Sequence, residues 1–188
     1  MTEKTNFEKS LSFALGSEGG FSDHPADRGG KTNLGITAGT LARAHEREIV
    51  RCSDIRKLTR SEAAVIYKAL YWQPSCADEM PWPLCALHFD AAVNHGVGGA
   101  GRLLQRTLNY YGAKLRVDGA VGRRTMDALN FHIELRDTFL RELCDRYLDE
   151  REALFYRIVK NNPSQKVFLR GWLNRIAKNR RLVAKEPA

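Results

Sequence analysis

The stretch Gly16–Thr37, GSEGGFSDHPADRGGKTNLGIT, places six glycines, three acids and two threonines in 22 residues. A segment so rich in glycine and polar side chains does not continue a helix; it closes the one before it and opens a loop. Upstream, Phe7, Leu11, Ala14, Leu15 and Glu18 fall at i, i+4, i+7, i+8 and i+11. That spacing predicts a helix from Phe7 to Glu18, capped by Thr5 or Asn6, with Glu18 on its apolar stripe and Gly19-Gly20 ending it. Burial and the negative end of the helix dipole both disfavour an ionised carboxyl there and raise its pKa. A general acid that protonates a glycosidic oxygen near neutral pH needs that tuning. A helix-terminal Glu turned towards water is the competing reading, and periodicity does not separate the two.

The loop supplies a second carboxylate. Asp27 follows Glu18 by nine residues, across a chain loose enough to fold back, and glycosidases commonly use such a pair. Asp23 competes for the same place, although Asp beside Pro is also a common turn former. Thr32, Asn33 and Thr37 bring hydroxyls and an amide that suit sugar or water; turn and N-cap chemistry is their local alternative. The region from 19 to 37 reads as loop with a small β-hairpin.

Elsewhere helical periodicity dominates, and the fold class expected is mostly α. Thr40–Glu48 reads as a short helix. Thr59-Arg60-Ser61-Glu62 is a capping box opening a helix through Tyr71. Pro83–Asn94, nearly all apolar, reads as the central helix. GVGGAG reads as a break before the amphipathic RLLQRTLNYYG, and VDGAVGRRTMDAL as a turn with a helix behind it. A long helix is expected from Ile133 to Lys160. A last one carries Phe168, Trp172 and Ile176, with a frayed tail after it.

The bulk numbers narrow the function classes. The chain has 188 residues, enough for a sizeable core, and no apolar run near the ~18 residues of a membrane span. Four cysteines form no CxxC pair and five histidines show no metal-ligand spacing, so neither metal nor cofactor is expected and free thiols are the plain reading. The net charge of +8 favours an anionic partner. No nucleic-acid motif accompanies it, so nucleic acid is not the partner expected. The N-terminus lacks the apolar core of a secretory signal, which predicts synthesis in the cytoplasm.

EGGFSDHPADRGGKTNLGIT closely resembles the EGG(Y/F)…P.D.GG.TN.GIT signature of glycoside hydrolase family 108, with Phe21 where tyrosine is more usual. That family comprises N-acetylmuramidases, among them phage endolysins and secretion-activator muramidases. The resemblance implies a lysozyme-like fold with Glu18 as the catalytic acid. The Glu, Asp and Thr order also resembles that of phage lysozymes, which implies roles for Asp27 and Thr32. YKALYWQP, LHFDAAVNHG, LLQRTLN, VDGAVGRRTMDAL and FLRGWLNRI follow in the family's order, so the likeness spans about residues 7–177. It implies a catalytic domain over 1–90 and a helical peptidoglycan-binding region over 91–188 packed against it.

The activity implied is hydrolysis of the β-1,4 bond between N-acetylmuramic acid and N-acetylglucosamine, for lysis or for passage of a secreted cargo. The partners implied are peptidoglycan strands and a holin or secretion system for export, without stable membrane insertion. A lytic transglycosylase and a non-catalytic wall-binding module are the alternatives. Further substrate-binding candidates are Tyr71, Asp90 and Asn94. Asp90 and Asn94 stand at i, i+4 in a buried helix and either line the cleft or tie down a loop. Tyr71 and Trp72 offer a sugar platform or belong to the core. Val117–Thr125 is either a wall-binding turn or a purely local one. Arg102, Arg106, Arg123, Arg124, Arg175, Lys178, Arg180 and Arg181 form a basic face able to attract the acidic wall.

Overall fold

A computed structural model describes residues 4–16, 32–135 and 139–186. Helix α1 spans Asn6–Leu15, opened by a capping box in which Thr5 and Glu8 bond each other's backbone N–H. It ends at Leu15, short of the expected Glu18, because Gly16 leaves the helical conformation at φ 59° and ψ −156°. Glycine alone takes that turn without a Cβ penalty. The stripe argument for Glu18 therefore does not extend past Leu15. Glu18, Asp23 and Asp27 lie outside the described residues.

Thr32–Asn33 (β1) and Ile36–Thr37 (β2) pair antiparallel, Thr32 opposite Thr37 and Asn33 opposite Ile36. Leu34 and Gly35 form the two-residue turn, both at positive φ (51° and 73°), as a tight hairpin with right-handed twist requires. Helix α2 (Ala38–Glu46) follows directly, and α3 (Arg60–Tyr67) starts at the expected capping box of Thr59 and Glu62 before a π-helical turn over Lys68–Trp72. Helix α4 (Leu84–His95) is buried over Leu84–Ala92 and packs on α1. Phe7, Tyr67, Trp72 and Phe89 meet edge to face at this junction: Phe7 lies 5.4 Å from Trp72 and Trp72 5.5 Å from Phe89. Trp72 is thus a core residue.

Helix α5 spans Val97–Tyr110, so the expected break at GVGGAG shrinks to Gly96. The glycines serve packing instead. A Cβ on Gly101 would stand 2.1 Å from the Gly119 carbonyl oxygen, and one on Gly119 2.4 Å from that of Gly98. Gln105 completes the join: its amide nitrogen donates to Asp118 (2.9 Å) and the Ala120 carbonyl (3.0 Å), and its oxygen accepts from the Gly119 N–H (2.8 Å). The Val117–Thr125 turn is therefore built around α5.

Helices α6 (Arg123–Leu135) and α7 (Phe139–Asn161) divide what periodicity joined from Ile133 onwards. Helix α8 runs over Lys166–Lys185; the tail is helical instead of frayed because Ile176, Asn179 and Val183 bury one face of it. In space α4 contacts α1, α5 and α7, α5 contacts α7, and α8 lies along α7. The Lys178 ammonium donates to the Phe13 carbonyl at 2.7 Å and ties α8 back to α1. The result is a mostly α, lysozyme-like fold whose two-stranded sheet is small and whose core passes without a break from the first half of the chain into the second.

Candidate functional site

A cavity of about 840 Å³ opens where α1, the hairpin turn, α4 and α8 meet. Leu15 and Gly16 bring the end of α1 to its wall, Gly35 the turn, and Tyr67 the end of α3. Asp90, Val93 and Asn94 come from α4, and Gly171, Trp172, Asn174, Arg175, Lys178 and Arg181 from α8. Such a volume lies within the range of specific ligand pockets.

The floor is an ion cluster. Asp90, nine-tenths buried or more, accepts from Arg151 Nη1 at 2.6 Å and from Arg175 Nη2 at 2.6 Å, with Arg175 Nε at 3.0 Å and Asn179 Nδ2 at 3.4 Å. Burial acts to raise the Asp90 pKa, but the two guanidinium groups outweigh it and hold the carboxyl below its usual range. Arg151 is wholly buried, and its Nε donates to His95 Nε2 at 3.2 Å. With that nitrogen as acceptor, the His95 proton belongs on Nδ1. Burial first, and Arg151 next, push His95 down to about 4, so it is neutral near pH 7.

Tyr67 links this floor to the hairpin by donating from its hydroxyl to the Leu34 carbonyl at 3.2 Å. Burial raises its pKa, keeping the phenol protonated for that bond. A Cβ on Gly35 would lie 2.6 Å from the same hydroxyl, so glycine is required there for space as well as for φ. Trp172 is held by stacking on Phe155, centroids 4.9 Å apart at 17°.

The structure thus brings Asp90 and Asn94 to one cavity and puts the other described candidates, Thr32, Asn33, Thr37 and Tyr71, off its lining, while Glu18 and Asp27 lie outside the described residues. Asn33 donates its amide to the Ile55 carbonyl at 2.9 Å, anchoring β1 to the neighbouring 3₁₀ turn. Thr37 caps α2 by accepting from the Thr40 N–H at 3.1 Å. Tyr71 is half-buried with its ring 5.9 Å from that of Tyr67. Thr32, half-buried, begins β1 opposite Thr37. None of these four lines the cavity. Asn94 bonds back to the Asp90 carbonyl at 3.0 Å. Among the described residues no group of three His, Cys, Asp or Glu side chains is placed to hold a metal ion.

Residues 11–96 match the family described as Glycosyl hydrolase 108, and residues 99–177 match that described as Predicted Peptidoglycan domain. The chain is a peptidoglycan hydrolase with a glycosyl hydrolase 108 domain. The hydrolase is also similar to a solved structure titled "Structure of Brucella abortus SagA", with a TM-score of 0.76 and 28% identity over 95% of this chain and 93% of that one. No match was found among the curated proteins. The glycoside hydrolase segment supplies α1, the hairpin, α3 and α4 to the cavity. The hydrolase completes the opposite wall with α8, whose Lys178 and Arg181 lie beyond both matched segments.

Arg151 escaped the sequence reading. Its signal was legible: it stands four residues after Tyr147 and four before Phe155, both buried, so it interrupts the apolar stripe of α7 with a charge that must find a buried partner.

Proposed function

We propose that the hydrolase cleaves the β-1,4 bond between N-acetylmuramic acid and N-acetylglucosamine, with Glu18 protonating the leaving oxygen and Asp27 assisting the attacking water. Thr32 is the third member of this set. Asp90 and Asn94, which line the cavity, contribute to substrate binding, Asp90 by orienting Arg175, while Asn33, Thr37 and Tyr71 contribute from outside its lining by holding β1, α2 and the turn after α3 in place. The division into a catalytic unit over 1–90 and a wall-binding unit over 91–188 belongs to the same reading. Support comes from one observation above the others: Gly16, two residues before Glu18 in sequence, lines a cavity that both matched segments help to build.

Peptidoglycan lies outside the cytoplasmic membrane, so action at the wall or in the periplasm calls for a delivery route from the cytoplasm, a holin pore or a secretion system. Mass spectrometry of digested murein tests the chemistry. Hydrolysis gives reducing N-acetylmuramic acid ends, and Glu18→Gln lowers the rate by at least roughly a hundredfold, the lower range for loss of a general acid. Ends of the 1,6-anhydro type would assign the reaction to a lytic transglycosylase. An unchanged rate in Glu18→Gln would remove Glu18 from the mechanism.

A further inference from the structure

Gly171, Asn174, Lys178 and Arg181 recur at i, i+3, i+7 and i+10, so they form one stripe of α8, and all four line the cavity. Ile176 and Val183 bury the opposite side. The stripe is cationic with no acid of its own. Asp90, the carboxylate lining this cavity among the described residues, is already engaged by Arg151 and Arg175. Lys178 rests on a neutral acceptor, the Phe13 carbonyl, with its ammonium 4.7 Å from the Phe13 ring centroid. Arg181 is exposed and has no ion pair among the described residues. Two positive charges thus face the cavity without a carboxylate among the described residues to meet them.

Gly171 adds space beside that charge. A Cβ there would meet nothing within 4 Å, yet glycine inside a helix costs about 1 kcal/mol relative to alanine. The open space at Gly171 and the exposed Arg181 do not serve packing, whereas Lys178 also ties α8 to α1.

We infer that the Lys178–Arg181 stripe binds carboxylates of the peptide stems carried by the glycan strand, making this hydrolase selective for peptide-bearing over bare glycan. This rests on the cavity being the substrate cleft. The sugar backbone of the polymer offers hydroxyls and acetamido groups, which do not call for two cations. The lactyl carboxyl of muramic acid is consumed in the amide bond to the stem, so the carboxylates belong to the peptide. A strand seated in the cavity carries its stems tethered beside it, at high effective concentration for any cation on the wall. Arginine suits that ligand because its fork meets a carboxylate with two parallel N–H donors.

The test compares kcat/KM on purified stem-bearing glycan with that on strands stripped of stems by an amidase and then capped as the methylamide at the lactyl carboxyls that the amidase frees. Wild type prefers the stem-bearing strands. In Arg181→Gln the ratio of the two values falls by roughly three- to tenfold, the range for one partly exposed charge-assisted contact, and Arg181→Lys restores much of it. Arg181→Glu lowers the ratio further, and adding Lys178→Met to Arg181→Gln removes most of the remaining preference. Raising the salt increases KM on stem-bearing strands more than on stripped ones. A ratio unchanged in Arg181→Gln and Arg181→Glu overturns the inference while leaving the hydrolase intact. A loss that follows removal of phosphodiester polymers from the wall, and not of stems, also overturns it. No cleavage of either substrate by wild type would instead refute the cleft assignment itself.

Discussion

Asp90→Asn is the most informative single change for the architecture, because it alters charge and keeps shape. Asp90 is 1% exposed and receives both guanidinium groups, Arg151 and Arg175, at 2.6 Å. Arg175 keeps 31% of its side chain in contact with solvent and can turn outwards when the carboxylate is lost. Arg151, with 0% exposure, has no such exit and, among the described residues, retains only the neutral His95 Nε2 as a further acceptor. The cost is that of a buried charge deprived of its counter-charge, about 3–5 kcal/mol. For a chain of this length each kcal/mol moves Tm by about 2–4 °C, so the expected fall is about 6–20 °C. Against a total stability of about 5–15 kcal/mol, that is a large share.

The assay is thermal and urea unfolding at pH 7 of wild type, Asp90→Asn and the double variant Asp90→Leu/Arg151→Met. Replacing both buried partners by apolar side chains removes the orphaned charge, so the double variant recovers most of the loss. The Asp90 carboxyl titrates below its unfolded value, so its contribution is full above about pH 4 and disappears only as pH falls through the lower folded pKa. Near neutrality, therefore, the deficit of Asp90→Asn does not vary with pH through this group. A fall in Tm of less than about 2 °C in Asp90→Asn, or a double variant less stable than the single one, would show that Arg151 does not depend on Asp90 for its counter-charge.

Acid pH itself acts through His88 and His95. Burial pushes both down to about 4, whereas in the unfolded chain each titrates near 6.5. Between those values the unfolded chain binds more protons, so stability falls as pH is lowered, by up to about 1.4 kcal/mol per pH unit for each histidine. Urea midpoints measured from pH 7 to 4 check this; His88→Gln flattens the curve, and a wild-type midpoint constant down to pH 5 would contradict it. Gly101→Ala raises intrinsic helix propensity yet destabilises, by about 1–3 kcal/mol, because the new Cβ strikes the Gly119 carbonyl; a gain in Tm would show that the α5 contact with the Gly119 turn is looser than described. Tyr67→Phe leaves the Leu34 carbonyl without its side-chain donor and costs about 1 kcal/mol, read as a small loss of Tm that Tyr67→Trp does not reverse.

The helices that the sequence made legible are those where a cap and a period agree. Thr5 with Glu8 and Thr59 with Glu62 are capping boxes, and α3 starts where its box predicts, while α4 is one nearly unbroken apolar run. Where only one signal was available the reading failed in a definite direction. Gly98, Gly99 and Gly101 resemble a break, because glycine's need for space and its freedom of φ look alike in a sequence. Only the approach of Gly119 shows that space was the reason. The basic tail resembles a solvated end, since KNRRLVAK carries its buried face on just Asn179 and Val183. The period running through Ile133 hid the end of α6, although Asp137 and Thr138 are residue types that favour a helix start.

The site was legible in types and not in partners. Asp90 in an apolar helix announces that a cation must reach it, but Arg151 and Arg175 lie 61 and 85 residues away, beyond anything local pattern can specify. Those contacts also join the two matched segments through one core. A carboxylate in α4 is neutralised from α7 and α8, and α8 is fastened to α1 through Lys178. The cavity wall supplied by the glycoside hydrolase segment is therefore held in place by charges that the second segment provides. Removing α8 would expose the Asp90 carboxylate and the apolar face of α7 together, so the second matched segment is a structural part of the cavity as well as a neighbour to it.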